Sequence, residues 1–163
     1  MNDRLIMDSL NIIIRRASEN DFPEVLSLIK ELAAYEREPE KVTNSVDLMK
    51  EEQEHFRCFV AETDKNEIVG IAIYFFAYYT WVGKSLYLED IYVKEQYRRY
   101  RIGTSLLRKI FEVARQENCK RVRWQVLDWN TSAIEFYRKG GAEISSSWLN
   151  CTFDRDGIMN FNL

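Results

Sequence analysis

The chain has 163 residues, with 46% hydrophobic and 30% charged, and its 23 Lys and Arg nearly balance 26 Asp and Glu. That composition excludes a disordered or fibrous protein and leaves no global field to draw the molecule to nucleic acid. Its length fits a single domain, 1–163, whose core fills packed layers.

MNDRLIMDSL has no clear period and reads as a flexible leader, residues 1–10, before the first strand. IIIRRAS from Ile12 is that strand by its β-branched run, and Ser18 to Asp21 with Pro23 in the first turn starts a helix. Phe22, Val25, Leu26, Ile29, Leu32 and Ala33 repeat at helical spacing and carry this helix to about Tyr35. A shorter helix is predicted over Val46 to His55. FRCFVAETD and EIVGIAIYFFAYYT then pair around Asp64-Lys65-Asn66, and KSLYLEDIYV follows as a further strand after Gly83.

Gly103 to about Asn118 is predicted as an amphipathic helix with Leu106, Leu107, Ile110, Phe111 and Ala114 inward. RVRWQVL is a strand, Asn130 caps the helix TSAIEFYRK, and Gly140-Gly141 stops it. EISSSWL and CTFDRDGIMNF read as a closing strand pair. This order implies an α/β (mixed α+β) fold, with a mixed sheet of about seven strands and about four helices on its two faces. The helix joining the strand before Arg98 to the strand after Asn118 makes those strands parallel neighbours.

The three cysteines, Cys58, Cys119 and Cys151, have no metal-ligand spacing, and His55 is the only histidine, so no metal site and no histidine triad is expected. Nowhere do ~18 apolar residues run together, and no cleavable leader is evident, so a cytoplasmic protein without a membrane span is expected.

The strand, the basic loop QYRRYR and the helix after it form a natural anion cradle, because the first helical N–H groups lack internal partners. The pattern Arg98-x-x-Arg101-x-Gly103 resembles the acetyl-CoA loop of the GNAT superfamily of N-acetyltransferases. N-x-x-(S/A)-x-x-F-Y followed by Gly, here from Asn130, is similar to a later motif of the same superfamily. LIKELAAYERE, WVGKSLYLEDIYV, YRRYRIG and DWNTSAIEFYRKGGA extend the similarity to the diamine acetyltransferase branch, which includes spermidine/spermine and thialysine acetyltransferases.

This resemblance implies a splayed sheet that admits the pantetheine arm of acetyl-CoA. The amides of Ile91, Tyr92 and Val93 would face the cofactor, and Arg98, Arg99, Tyr100, Arg101, Ile102, Gly103 and Thr104 would cradle its pyrophosphate. Asn130, Ser132 and Ala133 would lie by the pantetheine. Tyr35, Glu36, Trp81, Glu89, Asp90 and Trp148 would bind the amine. The catalytic pair would be Glu89, as base directly or through water, and Tyr137, as acid to the thiolate. Acceptors would be small diamines, polyamines or lysine-like amines; a protein or peptide acceptor, or a non-catalytic acyl-CoA module, are the alternatives. The branch also implies a homodimer joined through the C-terminal strands.

Alternation sends Asp90 to the opposite side of an ideal strand from Glu89, so both reach one cleft only if the strand is bulged. Arg101 stands where the family has glycine, and is expected to fit the loop if its backbone is not left-handed. Tyr79 stands where the branch has an acid, which weakens the case for long polyamines.

Overall fold

The computed structural model describes residues 11–162. The expected leader, 1–10, lies outside them. The described residues up to Gln125 form one compact unit and those from Val126 onward a second.

In the first unit, β1 (Ile12–Arg16), β2 (Arg57–Thr63), β3 (Ile68–Tyr79), β4 (Gly83–Val93) and β5 (Val122–Arg123) form one sheet in that order. The first four are antiparallel neighbours and β4 pairs with β5 in parallel, as the crossover predicts. Helices α1 (Phe22–Tyr35) and α2 (Val46–Glu51) precede β2, and α3 (Ile102–Gln116) forms the crossover. The second predicted helix is shorter than expected: α2 ends at Glu51, and Gln53–His55 is a 3-10 turn.

Two cores lie on opposite faces of the sheet. The stripe of α1, with Val25, Leu26 and Leu28, packs on Val60, Ile71, Ile73 and Tyr92. Leu106 and Ile110 of α3 pack with Ala72, Tyr74, Leu86 and Leu88. Each such fully buried aliphatic side chain contributes roughly 2 kcal/mol of transfer free energy. Gly70 lets α3 approach β3, because a Cβ there would meet the Tyr92 carbonyl oxygen at 3.1 Å and Leu106 at 3.3 Å.

The entry to α1 is fixed by charge. Arg15 donates to both oxygens of Asp21 at 2.8 Å and to Glu62 at 2.6 Å, and Ser18 adds its N–H and hydroxyl to Asp21. The Arg15 guanidinium holds the Asp21 carboxyl well below the usual carboxylate range. Asp21→Asn is expected to cost about 2 kcal/mol at pH 7 in urea titrations, between the values for exposed and buried pairs. Because the folded-state pKa is depressed, this contribution is complete above about pH 4 and declines as pH falls below it.

The second unit holds α4 (Thr131–Lys139) and α5 (Arg155–Met159). Asn130 caps α4 as expected, and Gly141, at φ 90°, follows its end. The expected closing strands are not found: residues 143–153 contain no strand, and part of the second segment is α5, capped by Asp154. The Ser145 hydroxyl accepts from the Ser147 N–H, and Asp154 accepts from the Gly157 N–H, local bonds that compete with a ladder. The sheet therefore has five strands rather than about seven, and the described α-helices number five rather than four. RVRWQVL, too, is strand only at Val122–Arg123. No helix among the described residues is long and apolar enough to cross a membrane.

Candidate active site

β4 does not alternate evenly. Its register with β3 pairs Ile73 with Asp90 and then Tyr74 with Leu88, so Glu89 is an extra, unpaired residue. Such a bulge shifts the phase of the strand. Leu86 and Leu88 face the α3 core, and beyond the bulge Ile91 and Val93 do so, while Tyr92 joins the α1 core. Asp90, opposite Ile73, thus turns to the α1 face, where the sequence condition for its sharing a cleft with Glu89 is met.

The end of α1 approaches the same place. Burial pushes the Asp90 carboxyl up to about 6, with the charges of Glu89 and Glu36 adding to the effect. Desolvation also raises Glu36. Glu36, Glu89 and Asp90 therefore form one acidic cluster, with Glu89 exposed and Asp90 largely covered.

β5 pairs with β4 only at Leu86–Val122 and Tyr87–Arg123. From Leu88 to Val93, β4 has no strand on that edge among the described residues, so its outward-pointing backbone groups there pair with no neighbouring strand. This is the splay that the resemblance implies, and Ile91, Tyr92 and Val93 lie along it.

At the end of the open edge the 3-10 turn Glu95–Tyr97 leads to the loop and to α3, which starts at Ile102, one residue earlier than expected. Arg101 is left-handed, at φ 58° and ψ 17°, so the condition for a fit without backbone cost is not met, and Arg99 has φ 78°. Left-handed residues next to right-handed ones can turn successive amides to one side, as in an anion nest. No side chain caps α3 and its first turn has no acid, so its positive end is unshielded. These residues fit a pyrophosphate such as that of acetyl-CoA. The arginine retains its left-handed backbone at a cost a glycine would not incur. Arg101→Gly is expected to raise stability by about 1 kcal/mol in urea titration. It should also weaken coenzyme A severalfold at low salt and scarcely at high salt, because a mobile exposed cation is screened.

Arg98 behaves differently from its neighbours. Its Nε donates to the Val93 carbonyl oxygen at 3.1 Å, and its guanidinium lies 5.1 Å from the Tyr35 ring centroid and 5.6 Å from that of Tyr92. It joins the anion loop to the end of α1 rather than projecting alone. The Tyr92 hydroxyl donates to Glu31 at 3.3 Å, a contact that no sequence pattern signalled.

Trp81 is elsewhere. It lies at the β3–β4 turn, 87% exposed, and about 20 Å of strand separates Gly83 from Glu89. In the second unit, Asn130 accepts from the Ala133 N–H and the Ser132 hydroxyl, both at 3.3 Å. Tyr137 packs 5.4 Å from Phe136, and burial raises its phenol above the ordinary value. Trp148 is 77% exposed. Two cavities, of about 230 and 240 Å³, are lined by residues such as Phe22, Phe56 and Cys58 or Glu24, Ser27 and Asn66, and neither is lined by Glu36, Glu89 or Asp90.

A splayed mixed sheet with a bulged acidic strand leading to an anion-binding helix start is the arrangement of an acyltransferase. Residues 22–141 match the acetyltransferase (GNAT) family, and the chain belongs to it. It is 36% identical over 159 residues to a mouse thialysine N-epsilon-acetyltransferase, covering 89% of this chain and 94% of that one. A pig protein of the same name is 38% identical over 162 residues, covering 91% and 95%. In fold, it matches an aminoglycoside acetyltransferase from an uncultured soil sample with a TM-score of 0.74 at 23% identity, over 88% of this chain and 97% of that one.

Proposed function

We propose that this enzyme moves the acetyl group of acetyl-CoA to the primary amine of a small molecule of the diamine or lysine-like class. The observation that carries the reading is the β4 bulge, which brings Glu89 and Asp90 to the face where Glu36 ends α1, beside the open strand edge. Three carboxylates attract an alkylammonium.

The ammonium titrates near ~10 and must lose its proton before it attacks. Sequence reading favours Glu89 as the acceptor, but burial divides the labour. Asp90, with its pKa pushed up to about 6, takes the proton, while exposed Glu89 and Glu36 hold the cation. Acetyl-CoA, when bound, supplies a thioester carbonyl open to the neutral amine. A β4 amide near Tyr92 receives the charge that develops on the carbonyl oxygen. As the C–N bond forms and the C–S bond breaks, Tyr137 gives its phenolic proton to the departing thiolate. The unshielded start of α3, with Arg99 and Arg101, holds the pyrophosphate.

The reading is tested by offering putrescine, spermidine, thialysine and lysine with acetyl-CoA and following thiol release. Turnover of at least one is expected, and release with none of them overturns it.

A further inference from the structure

The anion loop is anchored at both ends, by different means. At its far end the chain enters α3, where Ile102 is buried and the Ser105 N–H donates to the Arg101 carbonyl oxygen at 3.0 Å. At its near end lies the 3-10 turn Glu95–Tyr97, and a side chain from another element reaches both sides of that turn. The Glu67 carboxylate accepts from the Lys94 ammonium at 2.9 Å through one oxygen and from the Tyr97 hydroxyl at 2.8 Å through the other. Lys94 precedes the turn and Tyr97 ends it.

Glu67 is itself fixed by the β2–β3 hairpin. The hydroxyl of buried Thr63 accepts from the Lys65 N–H at 3.3 Å and the Glu67 N–H at 3.2 Å, and the Thr63 N–H donates to the Glu67 carbonyl oxygen at 2.9 Å. Across the contact, the Tyr97 ring packs against the α3 core, and the Lys94 N–H donates to the Val69 carbonyl oxygen at 2.9 Å. The Lys94 ammonium and then the Tyr97 phenol hold the Glu67 carboxyl below its ordinary value, so both contacts are made to a carboxylate through neutral pH. Between the two anchors, Arg99 and Arg101 keep left-handed backbones that arginine does not favour. A loop in that state relaxes unless its ends are fixed, and its amides are then no longer aimed at a phosphate in advance. A partly exposed ion pair contributes little to the stability of the whole fold, so the effect of this one is local.

We propose that Glu67 is a positioning residue for acetyl-CoA: acting through Lys94 and Tyr97, it clamps the turn Glu95–Tyr97 and so keeps the anion loop in the form that receives the pyrophosphate. This rests on the acetyltransferase reading above. The charge of Glu67 by itself opposes a phosphate, so clamp and charge move coenzyme A affinity in opposite directions. Salt separates them, because it screens the charge and leaves the loop geometry alone.

The experiment compares the wild type with Glu67→Ala, Glu67→Gln and Lys94→Met/Tyr97→Phe at about 0.1 M and about 0.5 M salt. Coenzyme A affinity is read by calorimetry, and kcat and the KM for acetyl-CoA by thiol release with a saturating amine from the acceptor panel above. Glu67→Ala is expected to weaken coenzyme A and raise the KM for acetyl-CoA by about tenfold at both salt concentrations, with kcat within about twofold of the wild type. Glu67→Gln, whose amide oxygen still accepts from Tyr97, should recover part of this, to a loss of about threefold. Lys94→Met/Tyr97→Phe should match Glu67→Ala, and combining the two should weaken coenzyme A by no more than about a further twofold. Should Glu67→Ala lower the melting midpoint, Glu67→Gln, which keeps the size of the side chain and one contact, carries the comparison. Affinity unchanged or improved on losing the carboxylate, or a fall in kcat with the KM unmoved, overturns the inference. Coenzyme A bound without turnover of any amine removes the acetyltransferase reading while the affinities still decide the clamp, and a wild type that does not bind coenzyme A overturns both.

Discussion

Asp90→Asn is expected to lower kcat for amine acetylation by about 100-fold or more while leaving the affinity for coenzyme A close to that of the wild type. The asparagine keeps the shape of the side chain and its place in the bulge but cannot accept the ammonium proton. In the wild type, kcat/KM should rise with pH to a plateau once Asp90 ionises, near pH 6. Burial does most to set this value, and the charges of Glu89 on the same strand and Glu36 from the end of α1 add to it. Asp90→Asn should remove this acidic limb along with the rate.

Stability should move the other way. The folded-state pKa of Asp90 lies above the ordinary value, so the folded protein binds a proton that the unfolded chain releases between about pH 4 and pH 6. Over that window this group makes the wild type less stable as pH rises, and above it the full penalty of an ionised, covered carboxylate remains. Asp90→Asn should therefore be more stable than the wild type at pH 7, by about 2 kcal/mol, and nearly equal to it below pH 4. Urea titrations of both proteins at the two pH values, beside the rate profiles, check this. A variant that loses activity and also loses stability at pH 7 would mean that Asp90 supports the fold rather than the chemistry. The dependence is opposite in sign to that of Asp21, whose stabilisation is present above pH 4 and lost below it.

These two aspartates also show what could be read before the structure. Asp21 was legible as part of a helix start, because Ser18, Asp21 and Pro23 stand at the spacing capping requires, and the three-four repeat of Val25, Leu26, Ile29 and Leu32 carried α1 to Tyr35. The crossover from β4 through α3 to β5 was legible for the same reason. The bulge was not, because YLEDIYV reads as a strand in either phase: Leu88 and Tyr92 are apolar whichever face they take. Only the register with β3 shows that Glu89 is the surplus residue. The conformation of Arg101 was equally hidden, since arginine has no intrinsic left-handed tendency and only the geometry of the loop imposes one. At the C-terminal end the alternation in EISSSWL suggested a strand, but alternation says nothing of whether a neighbouring strand is there to pair with, and local serine and aspartate bonds took its place.

Tyr137→Phe is expected to reduce kcat by about 10- to 100-fold with the KM of both substrates changed by less than about threefold, the pattern of an interaction made only as the reaction proceeds. The phenylalanine preserves the packing on Phe136. Burial raises the phenol above its ordinary value, which keeps it protonated through neutral pH. A thiol of ordinary acidity, with pKa near ~8.5, needs the help less than an alkoxide would but still gains from it. The decisive comparison is therefore with a second acetyl donor whose leaving thiol is more acidic, such as an aryl thioester of the same pantetheine skeleton. Its departure requires no proton, so the wild type and Tyr137→Phe should use it at rates within about twofold of each other, while differing by the full factor on acetyl-CoA. A variant equally slow with both donors would assign Tyr137 to positioning, and one equally fast with both would exclude it from the reaction.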